Sequence, residues 1–163
     1  MSKPDITAER ARQVLDYEVK TGIFTWRVHT RNTKVGQQAG TLKARGYVVI
    51  SIGRKLTAAH RLAWLFYYGV WPTFGIDHIN GNRSDNRICN LRDFPQSYNL
   101  QNQRQARKDS KSGFLGVSPN RSKWAASIHI NGVKTHLGTF DSMEEAHLAY
   151  LSAKRRLHIG CSI

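Results

Sequence analysis

Asp77-His78-Ile79-Asn80-Gly81, followed by Asn90-Leu91 and then Asn99, sets an acid beside a histidine, a polar anchor twelve positions after that histidine and a third nine further on. Residues of these types suit phosphodiester cleavage, which needs an activated water, positive charge at the scissile phosphate and leaving oxygen, and a rigid frame holding both in line. His78 is the candidate general base, because an imidazole titrates near neutral pH and can take a proton from water. Asp77 and Asn99 offer oxygen donors that suit a hard cation, Mg²⁺ or Mn²⁺, with water and phosphate oxygens in the remaining positions. Asn90 reads as a brace that bonds backbone groups across the loop. Successive strand residues face opposite ways, so Asp77 and His78 share a site only if the strand ends and a loop begins at His78. The same Asn, Gly and Asp residues are those any tight turn selects, and it is the agreement of several elements that favours chemistry over a structural loop.

Those residues need elements to hold them. Ile76 to Arg104 reads as a compact unit: a strand ending at His78, a polar loop, a short strand around Leu91, and a helix carrying Asn99, with Pro95 in its first turn and Asp93 as its cap. Upstream, Thr7 to Tyr17 has helical spacing, Ile23 to Val28 alternates like a half-buried strand, and Tyr47 to Ile52 and Arg54 to Thr57 read as further strands of a small antiparallel sheet. Ala58 to Tyr68 is an apolar helix ended by Gly69. His60 at its start reads as a buried histidine paired with the sheet rather than a phosphate ligand, and Cys89 as a packed thiol. Gln101 to Lys123 is basic and interrupted by Ser and Gly, which makes it the best domain boundary. Beyond it lie three strands, Phe114 to Ser118, Lys123 to Ile130 and Val133 to Phe140, the last two joined by Asn131-Gly132. A helix opened by the Ser142/Glu145 capping box follows. The class is α+β in four parts: a sheet and helix region at 1–75, the catalytic unit at 76–104, a basic linker at 105–112, and a three-stranded sheet packed on one helix at 113–163.

Composition points the same way. Lys and Arg number 25 against 11 Asp and Glu, a formal net charge of +14 on 163 residues, which favours a polyanionic partner. The 40% apolar fraction is enough for a folded core, against a basic disordered tail. Two cysteines, Cys89 and Cys161, cannot form a Cys-rich zinc framework and fit a reducing, cytoplasmic setting. The N-terminus lacks a signal-peptide core, and the most apolar run, Leu62 to Val70, is too short to span a bilayer.

At Asp77-His78-Ile79-Asn80-Gly81, Asp85-Asn86-Arg87, Asn90-Leu91-Arg92 and Asn99, the chain resembles the HNH endonuclease family with its ββα-metal fold, over about Ala59 to Gln103. The resemblance implies that His78 is the base, Asn90 holds the loop, and Asn99 binds metal with Asp77. Asn99 stands where many members have His, a variant found among phage and intron-encoded homing endonucleases, and it argues against a nitrogen-rich zinc or nickel site.

Gly116-Val117, Lys123 to Ile128, Leu137-Gly138-Thr139-Phe140 and Glu144 to Tyr150 resemble the Apetala-type DNA-binding domain, in which a three-stranded sheet lies in the major groove. The resemblance, taken with strand alternation, implies that Asn120, Arg121, Lys123, Trp124, Lys134 and His136 read DNA, with Trp124 reading equally as a core aromatic. Ala126, Ile128 and Leu137 are expected under the helix. Leu115 and Ser118 replace arginines carried by the plant proteins, so their target sequence does not transfer. Arg27, Arg61, Arg87, Arg104, Arg107, Lys108 and Lys111 are further candidates for phosphate contact.

The expectation is a metal-dependent endonuclease of phage or homing type, acting on double-stranded DNA in the cytoplasm of a bacterial host as a monomer or weak dimer. One such site cuts one strand per engagement, so nicking is expected. The alternatives are a catalytically silent, sequence-specific DNA-binding protein, and an accessory factor working with phage packaging or replication proteins.

Overall fold

The computed structural model describes residues 6–101, 103, 105–159 and 161, with only the backbone of residues 97, 99 and 100. It is an α+β protein of short helices and small antiparallel sheets, grouped into two compact units, Met1–Pro95 and Gln96–Ile163.

In the first unit Thr7 caps α1 (Ala8–Val14) by accepting the Arg10 N–H on its hydroxyl at 3.1 Å. The helix is shorter than its spacing suggests. Residues from Leu15 onward belong instead to β1 (Leu15–Glu18), which pairs antiparallel with β2 (Ile23–Trp26). Distant partners decide this: Leu15 is fully buried, and the Tyr17 ring lies 4.7 Å from Phe24 and 6.2 Å from Phe66. β3 (Thr41–Leu42), β4 (Val48–Ile52) and β5 (Lys55–Ala58) form a separate three-stranded sheet in that order. The 47–52 and 54–57 strands are therefore found nearly where expected, but the strand at 23 pairs with β1 rather than joining them.

β5 runs directly into α2 (Ala59–Tyr68), which ends at Gly69 in the left-handed region, φ 78°. Its buried side chains Ala59, Leu62, Ala63 and Leu65 follow the i, i+3, i+4 rule and share a core with Leu15, Phe24, Ile50 and Leu91. β6 (Gly75–His78) and β7 (Leu91–Phe94) complete the unit as an antiparallel pair. Asp93 does not cap the next helix. It lies within β7, paired with Ile76, and its carboxylate accepts the backbone N–H groups of Thr73 and Phe74 at 2.7 and 2.8 Å, fixing the chain's approach to β6.

The second unit opens with α3 (Gln96–Gln101) and contains β8 (Val117–Asn120), β9 (Lys123–Ile130), β10 (Val133–Phe140) and α4 (Met143–Leu157). β9 is central, with β8 and β10 antiparallel on either side. Asn131 and Gly132 both have positive φ, 50° and 83°, as the tight turn between β9 and β10 requires. The Ser142 hydroxyl accepts the Glu145 N–H at 3.2 Å at the start of α4. Ala126 and Ile128 are buried, and Leu137 packs with them against Ala146, Tyr150 and Ala153 of the helix. Gly116 lies so close to Tyr150 that a Cβ there would sit 2.0 Å from the ring.

Candidate active site

The β6–β7 register sets Asp77 opposite Arg92 and His78 opposite Leu91. The two candidate residues thus begin on opposite faces, and the strand ends at His78, where the loop begins. The ladder is carried one step further by Ile79 N–H to the Asn90 carbonyl, 2.9 Å.

Asn90 is 6% exposed and closes a short 3₁₀ turn, Ile88–Asn90. Its Oδ1 accepts the Asn80 N–H at 2.9 Å, and its Nδ2 donates to the Asp85 carbonyl at 2.9 Å. A single amide thereby ties both ends of the loop. Within the loop the Asn80 Nδ2 donates to Asp85 at 2.7 Å, and Gly81 N–H to the His78 carbonyl at 2.8 Å. Asp85 also receives the Arg87 guanidinium through two contacts at 2.8 and 2.6 Å, which lowers the pKa of its carboxyl to about 2. Arg87 is therefore engaged inside the loop.

His78 is 4% exposed. Burial lowers its pKa, opposed by the Asn86 side chain and by the charges of Asp77 and Asp85. The imidazole is thus held neutral at neutral pH, the form that accepts a proton. Its ring stands 5.1 Å from His60, edge to face, and 6.0 Å from Tyr47. Burial pulls the His60 pKa down to about 4, with the neighbouring His78 and Arg61 adding to the effect. Asp77 is paired with Arg92, whose Nε and Nη2 both donate to Oδ2 at 2.9 and 2.7 Å. Arg92 in turn lies over the Phe94 ring at 4.7 Å.

The loop rests on the N-terminal elements of the same unit. Tyr17 donates its hydroxyl to the Asn86 carbonyl at 2.8 Å. Gly22, φ 73°, approaches so closely that a Cβ would meet the Arg87 nitrogen at 2.4 Å. Arg83 lies over Tyr47 at 5.0 Å and donates to the Arg45 carbonyl at 3.1 Å.

Tyr47 and Tyr17 stand at the site without being among the candidates that the sequence singles out, His60 is buried as its sequence reading expects, and Asn86 enters that reading only as part of the motif. His60 carries one usable signal, a polar residue three positions before Ala63 on the buried stripe of α2; Tyr47 and Tyr17 carry none. Cys89, expected to be packed, is exposed.

The other candidates are scattered. The Asn99 side chain and all of Arg104 lie outside the described residues. Arg27 makes an exposed pair with Asp16 at 3.3 Å, and Arg61 lies over Trp71 and donates to the Phe74 carbonyl at 3.4 Å. Arg107, Lys108 and Lys111 lie in the irregular segment between α3 and β8, with Lys108 and Lys111 exposed and Arg107 also at the surface.

In the second unit the pairing of Asn120 with Lys123 and of Lys134 with His129 gathers Asn120, Lys123, Lys134 and His136 on the outer face of the sheet, with Arg121 in the β8–β9 turn. Lys123 meets Asp141 at 2.9 Å, which raises its pKa, and Asn120 and His136 both approach the Thr139 hydroxyl, at 3.4 and 3.5 Å. Trp124 is apart from this row: it alternates to the helix side, opposite Pro119 and Phe140, and packs into the core.

Residues 57–101, from within β5 to the end of α3, match the family model described as HNH endonuclease. No curated protein and no solved structure matches the chain. The family match supports a nuclease function with DNA as substrate, in a family that uses divalent metal ions.

Proposed function

From that match and the geometry of the β6–β7 loop, we propose that the protein is a metal-dependent DNA endonuclease that nicks double-stranded DNA, of phage or mobile-element type and acting in the bacterial cytoplasm. The observation that carries the reading is His78: a buried, neutral imidazole at the end of a strand, adjacent to a carboxylate, in a loop closed by Asn90.

In the mechanism, His78 takes a proton from the attacking water. Asn90 keeps the loop rigid, so the ring does not have to be ordered anew at each encounter. The donor chemistry fits a hard divalent ion: the Asp77 carboxylate is oriented by Arg92, and the sequence resemblance adds the amide oxygen of Asn99. Bound there, Mg²⁺ or Mn²⁺ would supply positive charge at the scissile phosphate and the leaving 3′ oxygen. The outer face of the β8–β10 sheet, with Asn120, Arg121, Lys123, Lys134 and His136, is the proposed DNA reader; Arg107, Lys108 and Lys111 track phosphates.

Conversion of supercoiled plasmid to open circle by wild type and His78→Ala, with Mg²⁺, Mn²⁺ or chelator, tests the reading. Metal-dependent nicking that disappears in the variant is expected. DNA binding by both proteins without nicking under any metal would move the assignment to a DNA-binding protein.

A further inference from the structure

The main chain at His78 is fixed by strand pairing and by Asn90, but a base also needs a fixed ring. A side chain at a strand end retains its own rotamers unless neighbours remove them. The Asn86 side chain meets the ring from within the loop, and the ring neighbours come from elements upstream of it. His60, the second residue of α2, is 9% exposed and presents its ring to His78 at 84° and 5.1 Å. Tyr47, just before β4, stands 5.3 Å from His60 and 6.0 Å from His78, so three rings bound one another. Tyr47 is itself covered by Arg83 from the catalytic loop, at 5.0 Å, and Arg83 is anchored on the Arg45 carbonyl. The Nδ1 of His60 is buried with no hydrogen-bond partner among the described residues. The contact seen from His60 to His78 is that of one ring's edge against the other's face.

We propose that His60 and Tyr47 are positioning residues for the His78 imidazole, confining it to one rotamer by ring packing. The inference rests on the reading of His78 as the base. Neither residue touches the reacting atoms, and their effect falls on the rate of the chemical step rather than on DNA affinity.

The full-length protein is assayed under single turnover on supercoiled plasmid with Mg²⁺, fitting the maximal rate and the half-saturating concentration separately. His60→Ala is expected to lower the maximal rate by about 10²-fold, the scale for a displacement of the order of an ångström, with half-saturation unchanged. His60→Phe keeps a ring of similar size without the unpaired nitrogen and is expected to restore most of the rate. Wild-type rate in His60→Ala, or a His60→Phe as slow as His60→Ala, overturns the proposal. Should His60→Ala fail to fold, Tyr47→Leu replaces it, with the same expected split between rate and half-saturation, and an unchanged rate overturning the idea.

NMR of the histidine ring protons separates this inference from the nuclease reading. Cross-relaxation between the His60 and His78 rings and a single His78 rotamer are expected in wild type, with rotamer averaging in His60→Ala or Tyr47→Leu. A His78 ring equally ordered in wild type and variant overturns the proposal, whether or not the wild type nicks DNA.

Discussion

His60 makes the first unit sensitive to mild acid. Its pKa falls from 6.5 to about 4 on folding, chiefly through burial. Between those values the unfolded chain binds the proton and the folded chain resists it, so stability is complete above pH 6.5 and declines as the pH falls toward the folded value. At a pH equal to the folded pKa the loss from this one group amounts to about 3 kcal/mol, because each tenfold difference in proton affinity between the two states is worth about 1.4 kcal/mol. That is a large part of the ~5–15 kcal/mol available to a typical domain. His78, also lowered by burial, adds a loss of the same sign, whereas Asp85 loses its contribution only between 3.8 and about 2. The assay is urea unfolding followed by tryptophan fluorescence in a Trp124→Phe background, so that Trp26, Trp64 and Trp71 report the first unit alone. His60→Phe should flatten most of the decline between pH 6.5 and 4 and leave the slope that His78 contributes. Parallel decline in wild type and His60→Phe across that window would mean that burial of His60 is not the source of the acid sensitivity.

Asn90→Ala removes both ties of the loop and leaves the Asn80 N–H and the Asp85 carbonyl without this partner; a loss of about 1–3 kcal/mol in urea unfolding is expected, with nicking reduced beyond what the unfolded fraction explains. Because burial lowers the His78 pKa, the acid limb of the nicking rate should lie below 6.5, read from a pH–rate profile of kcat/KM; a limb above 6.5 would contradict the neutral, buried base. Gly116→Ala and Gly113→Ala both place a side chain at positive φ, but only the first drives a Cβ into the Tyr150 ring. Gly113→Ala should cost about 1–2 kcal/mol, and Gly116→Ala clearly more, by Trp124 fluorescence on unfolding.

What was legible in the chain was what neighbours in sequence decide. Asn131-Gly132 supplies two positive-φ residues, Ser142 and Glu145 form a local cap, and Gly69 ends α2 in the left-handed region. The strand ending at His78 and the bracing role of Asn90 follow from spacing in the same local way. What was not legible depended on partners far along the chain. Leu15 to Tyr17 continue a helical pattern, and the strand they form comes from pairing with Ile23 to Trp26 and from burial against Phe66. Asp93 has the chemistry of a helix cap but directs it to backbone groups about twenty residues earlier. Tyr47 and His60 reach His78 only through the packing of β4 and α2, which no short window reveals.

The near-contact between Gly22 and the backbone of Asn86 and Arg87, together with the Tyr17 hydroxyl on the Asn86 carbonyl, bears on how the β6–β7 loop can be exchanged between proteins. The underside of the loop is a turn and a tyrosine contributed by the β1–β2 hairpin, which lies before residue 57, where the match to the family begins. A graft of 57–101 alone would carry the candidate residues His78 and Asn90 and leave behind the surface on which their loop rests. The portable piece is the hairpin, sheet and loop together, and a host scaffold would have to receive all of them or rebuild an equivalent floor.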